Sequence, residues 1–189
     1  MTEGAPTPQP KQPLEIEKKW LVDLSQLPFD LSTLPFQQLE QRYAIDPRTR
    51  GHKSKVTRLR SGEDAEGRIV MTTKIKKKTE SGTKVSIEAN TPIQHSFRRA
   101  EILWNSDYAR ATAVAKRRYE VPIEDGLAQI DVFEGPLAGL ANLEVEFKSE
   151  SDAASFRPPP WFGRDVTEDD RYSNFQLAVN GLPKGPDKP

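Results

Sequence analysis

The sequence predicts a mainly β protein of the α+β class, and two features of the chain lead to this prediction. Apolar and charged residues alternate in short runs along much of the chain, which is typical of strands with one apolar and one polar face. Turn-forming residues such as glycine, proline and serine separate these runs, as they do in successive hairpins. Extended helical spacing is confined to residues 96–114 and 168–180.

The composition limits the class of protein. The chain of 189 residues carries 28 basic and 28 acidic side chains, so no overall charge favours nucleic acid or a membrane surface. It has no cysteine, which excludes thiolate chemistry, and its two histidines, His52 and His95, lie in polar stretches that give little support to a histidine metal site. No apolar run approaches the length of a membrane span, and no signal peptide is recognisable. We therefore expect a cytoplasmic protein.

Polar and proline-rich residues mark both ends of the chain. Residues 1–13 and 182–189 have the composition of disordered segments. Because no repeat or internal linker interrupts the rest, we predict a single domain over residues 14–181.

The first predicted strand, residues 14–22, is the most informative stretch. Alternation places Glu15, Glu17 and Lys19 on one face, together with Leu21. Neighbouring carboxylates repel each other unless a cation lies between them, and a divalent metal ion can fill that role. For this stretch alone, a solvated strand face is the simpler interpretation.

The other elements follow from local patterns. Two Leu-Pro-Phe triplets in residues 23–39 prevent one continuous helix and favour short helical turns. Further strands are predicted at 41–45, 56–60, 68–76, 85–89, from 116 onward, 129–133 and 143–147. Helices are predicted at 96–114, where Trp104 is expected to be a packing anchor, at 151–156, and from about 168 to 180, with Gly181 as the C-terminal stop.

Charged residues occupy alternate positions on at least six of these strands. They are Glu15, Glu17 and Lys19; Arg58 and Arg60; Lys74 and Lys76; Glu88; Lys116 and Arg118; and Glu144 and Glu146, with Asp131 as a further acid. The pattern fits an antiparallel sheet with one solvated face, and it equally fits a barrel that encloses a polar cavity. The pattern alone does not choose between them.

The chemistry of the charges indicates a ligand. Paired carboxylates suit Mg²⁺ or Mn²⁺, which prefer oxygen ligands. Paired arginines and lysines from three strands suit several phosphate oxygens at once. Acids and bases on one surface therefore favour a polyphosphate bound together with a metal ion.

The motifs, taken in order, resemble the CYTH domain of the triphosphate tunnel metalloenzymes. The opening signature Glu-x-Glu-x-Lys lies at 15–19. It is followed by Gln-x-Tyr at 41–43, Arg-x-Arg at 58–60, Thr-Lys at 73–74, Lys-x-Arg-Tyr at 116–119, Asp-Val-Phe-x-Gly at 131–135, Glu-Val-Glu-Phe at 144–147, Pro-Pro-Pro-Trp-Phe-Gly at 158–163, Val-Thr-Glu-Asp at 166–169 and Arg-Tyr-x-Asn at 171–174. The closing motifs are most similar to those of short bacterial members that hydrolyse inorganic tripolyphosphate.

The resemblance implies a closed eight-stranded antiparallel β-barrel, a tunnel with helices packed outside, in which a triphosphate lies on Mg²⁺ or Mn²⁺. Four acids match the family's metal ligands: Glu15, Glu17, Glu144 and Glu146. Five cations match its phosphate-binding residues: Lys19, Arg58, Arg60, Lys74 and Arg118. Lys116 and Tyr43 match residues that handle the attacking water, and Glu17 is assigned to catalysis with them. Asp131 and Glu88 lie at acidic positions that we group with the substrate site.

One strand departs from the family pattern. Members often carry Arg-x-Glu-x-Glu where this chain has Ser86, Glu88 and Asn90 at the corresponding positions. The change removes one charge of each sign, so the net charge is nearly unchanged. Substrate preference is the property that it affects.

The expected function is metal-dependent hydrolysis of a linear triphosphate, most simply tripolyphosphate to diphosphate and phosphate. The expected partner is a small-molecule triphosphate, with no nucleic acid or membrane partner, and a homodimer is compatible with the sequence. Alternatives are a nucleoside or thiamine triphosphatase, an adenylate cyclase, or a non-catalytic polyphosphate- or nucleotide-binding module. The organic substrates would need a recognition surface, for which only the unplaced aromatics Phe29, Phe36, Trp161 and Phe162 are available. A structural β-domain with a solvated charged face would tolerate neutralisation of Glu15 or Arg58.

Overall fold

The computed structural model describes residues 14–44, 55–62, 69–78, 84–90, 97–124 and 126–184. Within these ranges the strands are β1 (Leu14–Leu21), β2 (Gln37–Ala44), β3 (Lys55–Ser61), β4 (Val70–Lys78), β5 (Lys84–Asn90), β6 (Val114–Ile123), β7 (Gly126–Phe133) and β8 (Ala141–Phe147). The α-helices are α1 (Phe97–Trp104), α2 (Asp107–Ala111), α3 (Glu150–Ser155) and α4 (Asn174–Asn180). The histidines and the two chain ends, 1–13 and 185–189, lie outside the described residues.

The strands form one antiparallel, curled sheet in the order β1-β5-β4-β3-β2-β6-β7-β8. Strand β1 pairs with β8 from Ile16–Phe147 to Leu21–Asn142. It also pairs with β5, at Leu14–Ile87 and Glu15–Ser86. Strand β1 therefore lies between the last strand of the chain and the β2–β5 hairpins, and the mainly β prediction with helices outside the sheet is confirmed.

The predicted helix over 96–114 is wrong in its extent, because the chain forms two helices there and then enters β6. The break is at Ser106, whose side chain accepts a hydrogen bond from the Ala109 amide at 3.2 Å and so caps α2. A second correction concerns residues 168–180. The α-helix begins only at Asn174, after a 3-10 turn at 170–172, and Ser173 caps it. Serine at an N-cap competes with helix continuation, which is why periodicity alone overextended both elements.

The residues between β1 and β2 form two short 3-10 turns, as the proline spacing predicts. Asp23 caps the turn at 24–26 and Asp30 caps the turn at 31–33, each by accepting a hydrogen bond from the amide two residues later. These turns lie over the apolar face of the sheet, where Leu27, Phe29 and Leu31 pack against the core.

One face of the sheet is apolar and covered. Its largest cluster includes Trp20, Ile130, Leu143, Phe156 and Phe162, from β1, β7, β8 and the segment after α3. On the β3 side, α1 and α2 supply Ala100 and Ala109 against Leu59, with Trp104 packed alongside. The guanidinium of Arg42 lies 4.0 Å from the centre of the Trp104 ring and donates to its carbonyl oxygen, so the packing role predicted for Trp104 is confirmed. The charged residues are thereby left to the opposite face.

An apolar plug lies at one end of that opposite face. It consists of Leu21, Val114, Phe133, Leu137, Leu140, Val166, Tyr172 and Leu177. Helix α4 contributes Leu177, which is fully buried, and Phe175, which stands edge-on to the Tyr43 ring at 5.5 Å. No helix in the described part of the chain is long and apolar enough to cross a membrane.

Replacement of Leu177 by alanine should lower the free energy of unfolding by about 2–5 kcal/mol, because the plug cannot collapse around the lost side chain. The control on the same helix is Val179→Ala, where the side chain is 47% exposed, and its cost should stay within about 0.5 kcal/mol. Urea denaturation of both variants measures the difference. Equal effects would show that α4 does not close this end of the sheet.

Candidate active site

Strand register brings the predicted site residues of β1, β6, β7 and β8 onto one face. Directly opposed residues in an antiparallel pair share a face. Lys19 is opposed to Glu144 and Glu17 to Glu146 across β1 and β8, and Arg118 is opposed to Asp131 across β6 and β7. We call this the charged face. The same face carries Leu21 and Phe133 of the apolar plug, so the plug forms its base.

Asp131 is the centre of the charges on this face. Its side chain has no solvent exposure, and its oxygens accept hydrogen bonds from Arg118 Nε at 2.7 Å, from Arg118 Nη2 at 2.8 Å, and from the Lys116 ammonium. The side-chain oxygen of Gln129 also accepts a hydrogen bond from Arg118, from Nη1 at 2.7 Å. Asp131 therefore fixes the orientation of two cations, and its grouping with the substrate site stays a prediction.

Glu144 joins this group to β1. Its carboxylate lies 2.7 Å from Lys19 Nζ and 3.1 Å from Arg118 Nη2. Burial by itself would raise the pKa of Glu144, but Lys19 and Arg118 outweigh it and hold that pKa well below the usual range. Lys19, Lys116 and Arg118 are thus joined by two carboxylates into one connected network of ion pairs.

Lys116 has the most unusual environment of these cations. Its side chain is fully buried, with its ammonium 5.7 Å from the centre of the Phe133 ring. Burial lowers the pKa of Lys116 to about 8, and the attraction of Asp131 only partly opposes this. Lys19 differs, because the carboxylates of Glu144 and Glu17 outweigh burial and raise its pKa. One lysine on this face can therefore release a proton near neutral pH while the other stays charged.

Two of the four predicted metal ligands, Glu17 and Glu146, are directly opposed in register. Glu15 and Glu17 are partly buried on β1, while Glu146 on β8 is exposed and lies directly across from Glu17. Among the described residues, no three acids or histidines converge closely enough to hold a metal ion by themselves. This donor set still fits Mg²⁺, which is usually held by one or two carboxylates and completes its shell with phosphate oxygens and water.

The second group of cations lies across the sheet on β3. Arg60 is buried and Arg58 is partly buried. Register opposes Arg60 to Gln41 and Arg58 to Tyr43 of β2. The Tyr43 hydroxyl donates to Gln41 Oε1 at 3.3 Å, and Thr112 contacts both the amide and the carbonyl of Tyr43 at 3.1 Å. Tyr43 is consequently held in place from two sides.

Strand register alone places Lys74 and Glu88, whose side chains lie outside the described residues. They are directly opposed across β4 and β5. Ser86, also on β5, is opposed to Glu15 of β1. The serine that departs from the family pattern is therefore the neighbour of a predicted metal ligand.

Gln129 and Asn142 are polar residues of this face that were missed at the level of sequence, and Gln41 belonged to the Gln-x-Tyr motif but received no role in the site. All three have inward positions, and Gln41 and Asn142 are fully or almost fully buried. The sequence did contain a signal for these residues, because each is an uncharged polar residue at an inward position in or next to a predicted strand. The interpretation considered only the charged residues at such positions. The aromatics left unplaced from sequence pack elsewhere. Phe29, Trp161 and Phe162 contact one another on the apolar face, with ring centres 5.4 and 4.5 Å apart.

The fold and the site together define a class of protein with an antiparallel curled sheet, a buried network of acids and cations on one face, and helices on the other. No family model matches the chain. A segment of 89 residues is 47% identical to an inorganic triphosphatase of Nitrosomonas europaea, covering 47% of this chain and 58% of that protein. A segment of 67 residues is 39% identical to an inorganic triphosphatase of Acetivibrio thermocellus, covering 35% and 42% of the two chains. The matches thus span less than two thirds of either relative.

A solved structure extends the similarity over nearly the whole domain. The crystal structure of the inorganic triphosphatase NE1496 matches 89% of this chain and 97% of its own, with 35% identity and a TM-score of 0.57. The chain belongs to the CYTH family of triphosphate tunnel metalloenzymes, as the motifs predicted.

The Asp131→Asn variant should lose about 3–5 kcal/mol of unfolding free energy, because it leaves Lys116 buried without its counter-charge. Asp169→Asn is the matched control. Asp169 pairs with the half-exposed Arg171 at 2.7 Å, and its loss should cost at most about 1 kcal/mol. Chemical denaturation at pH 7 compares the two. A cost for Asp131→Asn as small as the control would contradict the positioning role.

The free energy of unfolding should depend on pH through the protonation of Lys116. Its pKa is about 8 in the folded chain and 10.5 is the ordinary value, so between these two pH values the unfolded chain binds more protons. Stability must then rise with pH in this window, by about 1–3 kcal/mol. The measurement is the difference in unfolding free energy between the unmodified protein and Lys116→Met from pH 7.5 to 10. A difference that stays flat would show that Lys116 keeps its ordinary pKa.

Proposed function

We propose that the protein hydrolyses a linear triphosphate in a divalent-metal-dependent reaction, with inorganic tripolyphosphate as substrate and diphosphate and phosphate as products. The observation that carries this proposal is the network of Lys19, Lys116 and Arg118 around two carboxylates on the charged face. Arginine and lysine side chains fixed in a buried place suit the oxygens of a multiply charged anion. The relatives named as inorganic triphosphatases agree with this assignment.

The proposal includes closure of the eight strands into a tunnel. It is supported by the pairing of β1 with both β5 and β8. The apolar plug then lies at one end of the tunnel, and a phosphate chain enters from the other. A closed wall keeps bulk water away from the substrate, which strengthens every charge interaction inside it.

Substrate positioning is the proposed task of the cations. Lys19, Arg118, Arg58 and Arg60, with Lys74 from β4, would hold the phosphate oxygens from opposite walls. Because Asp131 already orients Arg118 through two hydrogen bonds, little reorganisation is needed when phosphate binds. Glu88 would complete this wall opposite Lys74.

Glu15, Glu17, Glu144 and Glu146 would hold Mg²⁺ or Mn²⁺. When bound, the ion would offset charge on the phosphate oxygens and lower the pKa of water. Glu144 would have to share its carboxylate with Lys19 and Arg118, so the opposed pair Glu17 and Glu146 is the better candidate for direct coordination.

Lys116 and Tyr43 would act on the attacking water. The pKa of Lys116, about 8, allows the neutral amine to accept a proton from water as its oxygen bonds to the terminal phosphorus. The anhydride bond breaks at the same phosphorus and releases diphosphate. Gln41 would orient the Tyr43 hydroxyl beside this site.

The decisive test is phosphate release by purified protein from tripolyphosphate, ATP, thiamine triphosphate and diphosphate, each with Mg²⁺, Mn²⁺ or EDTA. Turnover should favour tripolyphosphate, need metal, and fall by about 100-fold or more in Glu17→Gln, since that variant removes a metal ligand. Glu101→Gln is the matched control, because Glu101 is exposed on α1, and it should retain full activity.

Other outcomes identify the alternatives. Preference for ATP or thiamine triphosphate would reassign the substrate within the family. Metal-dependent binding of tripolyphosphate without turnover would reassign the protein as a binding module.

A further inference from the structure

The side-chain amide of Asn142 is a buried polar group on the charged face to which the proposed mechanism gives no role. Asn142 lies on β8 with no solvent exposure. Register places it directly across from Asp131 on β7 and from Leu21 on β1. It therefore occupies the boundary between the ion network and the apolar plug, two residues before Glu144.

Neither end of this amide has a hydrogen-bond partner among the described protein groups. Both Nδ2 and Oδ1 are buried and unpartnered, so exchanging the two atoms in the amide would not alter the conclusion. A buried polar group without a partner costs about 1–3 kcal/mol, and apolar side chains of the same size avoid that cost. An asparagine in this position is thus explained by a ligand that the protein chain itself does not supply.

Lys116 has unused donors close to the same point. An ammonium group carries three N–H donors. Among the described residues, the structure gives Lys116 one hydrogen-bond partner, Asp131. Asn142 is opposed to Asp131 from one neighbouring strand, and Lys116 contacts Asp131 from the other.

The donors and acceptors select the ligand. A phosphate oxygen only accepts hydrogen bonds and would leave Asn142 Oδ1 unpaired. A metal cation would take Oδ1 but would leave Nδ2 unpaired, and the Lys116 and Arg118 charges would repel it. Water both donates and accepts, so it can pair with the amide and also with Lys116, accepting from the ammonium or donating to the neutral amine.

We propose that Asn142 is a positioning residue that holds a buried water molecule beside Lys116, in the place from which water attacks the terminal phosphorus. The catalytic part of this inference rests on the proposed triphosphatase function. The water site itself does not, because it follows from the burial and hydrogen-bonding capacity of Asn142 and Lys116.

The kinetic test replaces Asn142 with leucine, which has nearly the same shape and no polar atoms. With tripolyphosphate and Mg²⁺, kcat should fall about tenfold or more while KM stays within about twofold, because the water is misplaced and the phosphate contacts are intact. Asn105→Leu is the control, since Asn105 is exposed at the end of α1.

Stability separates this role from a structural one. Because leucine has nearly the same shape and needs no hydrogen-bond partner, the urea midpoint of the leucine variant should stay close to that of the unmodified protein. An unchanged kcat in Asn142→Leu, or a loss of kcat that follows a loss of folded protein, would overturn the proposal.

A direct measurement keeps the site independent of the activity. A high-resolution crystal structure of the unmodified protein should contain an ordered water within about 3.2 Å of both the Asn142 amide and Lys116 Nζ. If the protein turns over no triphosphate but this water is present, the proposed function fails and the water site stands. Electron density without a water there would overturn the site, whatever the activity.

Discussion

A carboxylate that has no contact with solvent keeps its charge only if cations are held against it. Asp131 meets this condition through Arg118 and Lys116, and the rest of the charged face depends on that arrangement. Register between β6, β7 and β8 has to be kept, because a slip of one residue would turn Asp131 towards the apolar face. Glu144 then extends the network to Lys19 on β1, so the first and last strands are joined by charge as well as by backbone hydrogen bonds.

The opposite face of the sheet buries the apolar side chains that stabilise the fold, so the charged face does not have to do so. Trp20 packs edge-on or tilted against Phe156 and Phe162 of the segment after α3, and these two rings are tilted against each other. Helices α1 and α2 cover the β3 side. With the apolar surface buried outside the sheet, the inward positions are free for groups that bind anions, and buried ions there are stabilised by partners rather than by solvent.

The structure also separates positioning groups from groups that can meet a ligand. The Asp131 carboxylate forms ion pairs with Lys116 and Arg118, and Gln129 accepts a hydrogen bond from Nη1 of Arg118. Glu17 and Glu146, by contrast, face each other at the less buried end of the same face. The face therefore changes from a closed base, where Asp131 holds two cations, to a more exposed acidic end. This change orders the face into a region that fixes cations and a region suited to metal and phosphate.

Sequence alone predicted most of the strand faces, because a period of two is a local property. It correctly placed Lys19 and Glu144 on inward positions and Trp104 among the apolar anchors. It overextended two helices, since the caps at Ser106 and Ser173 compete with helical periodicity only through their side-chain geometry. The closing motifs also indicated the family.

What the sequence by itself determined is the alternation that separates an apolar from a charged face, and the set of acids and cations on the latter. Tertiary structure decided which of these charges meet. The pairing of Asp131 with Lys116, the burial that lowers the pKa of that lysine, and the unpaired amide of Asn142 all depend on strands far apart in the chain. Contact and burial are properties of neighbouring strands in space, and no local pattern encodes them.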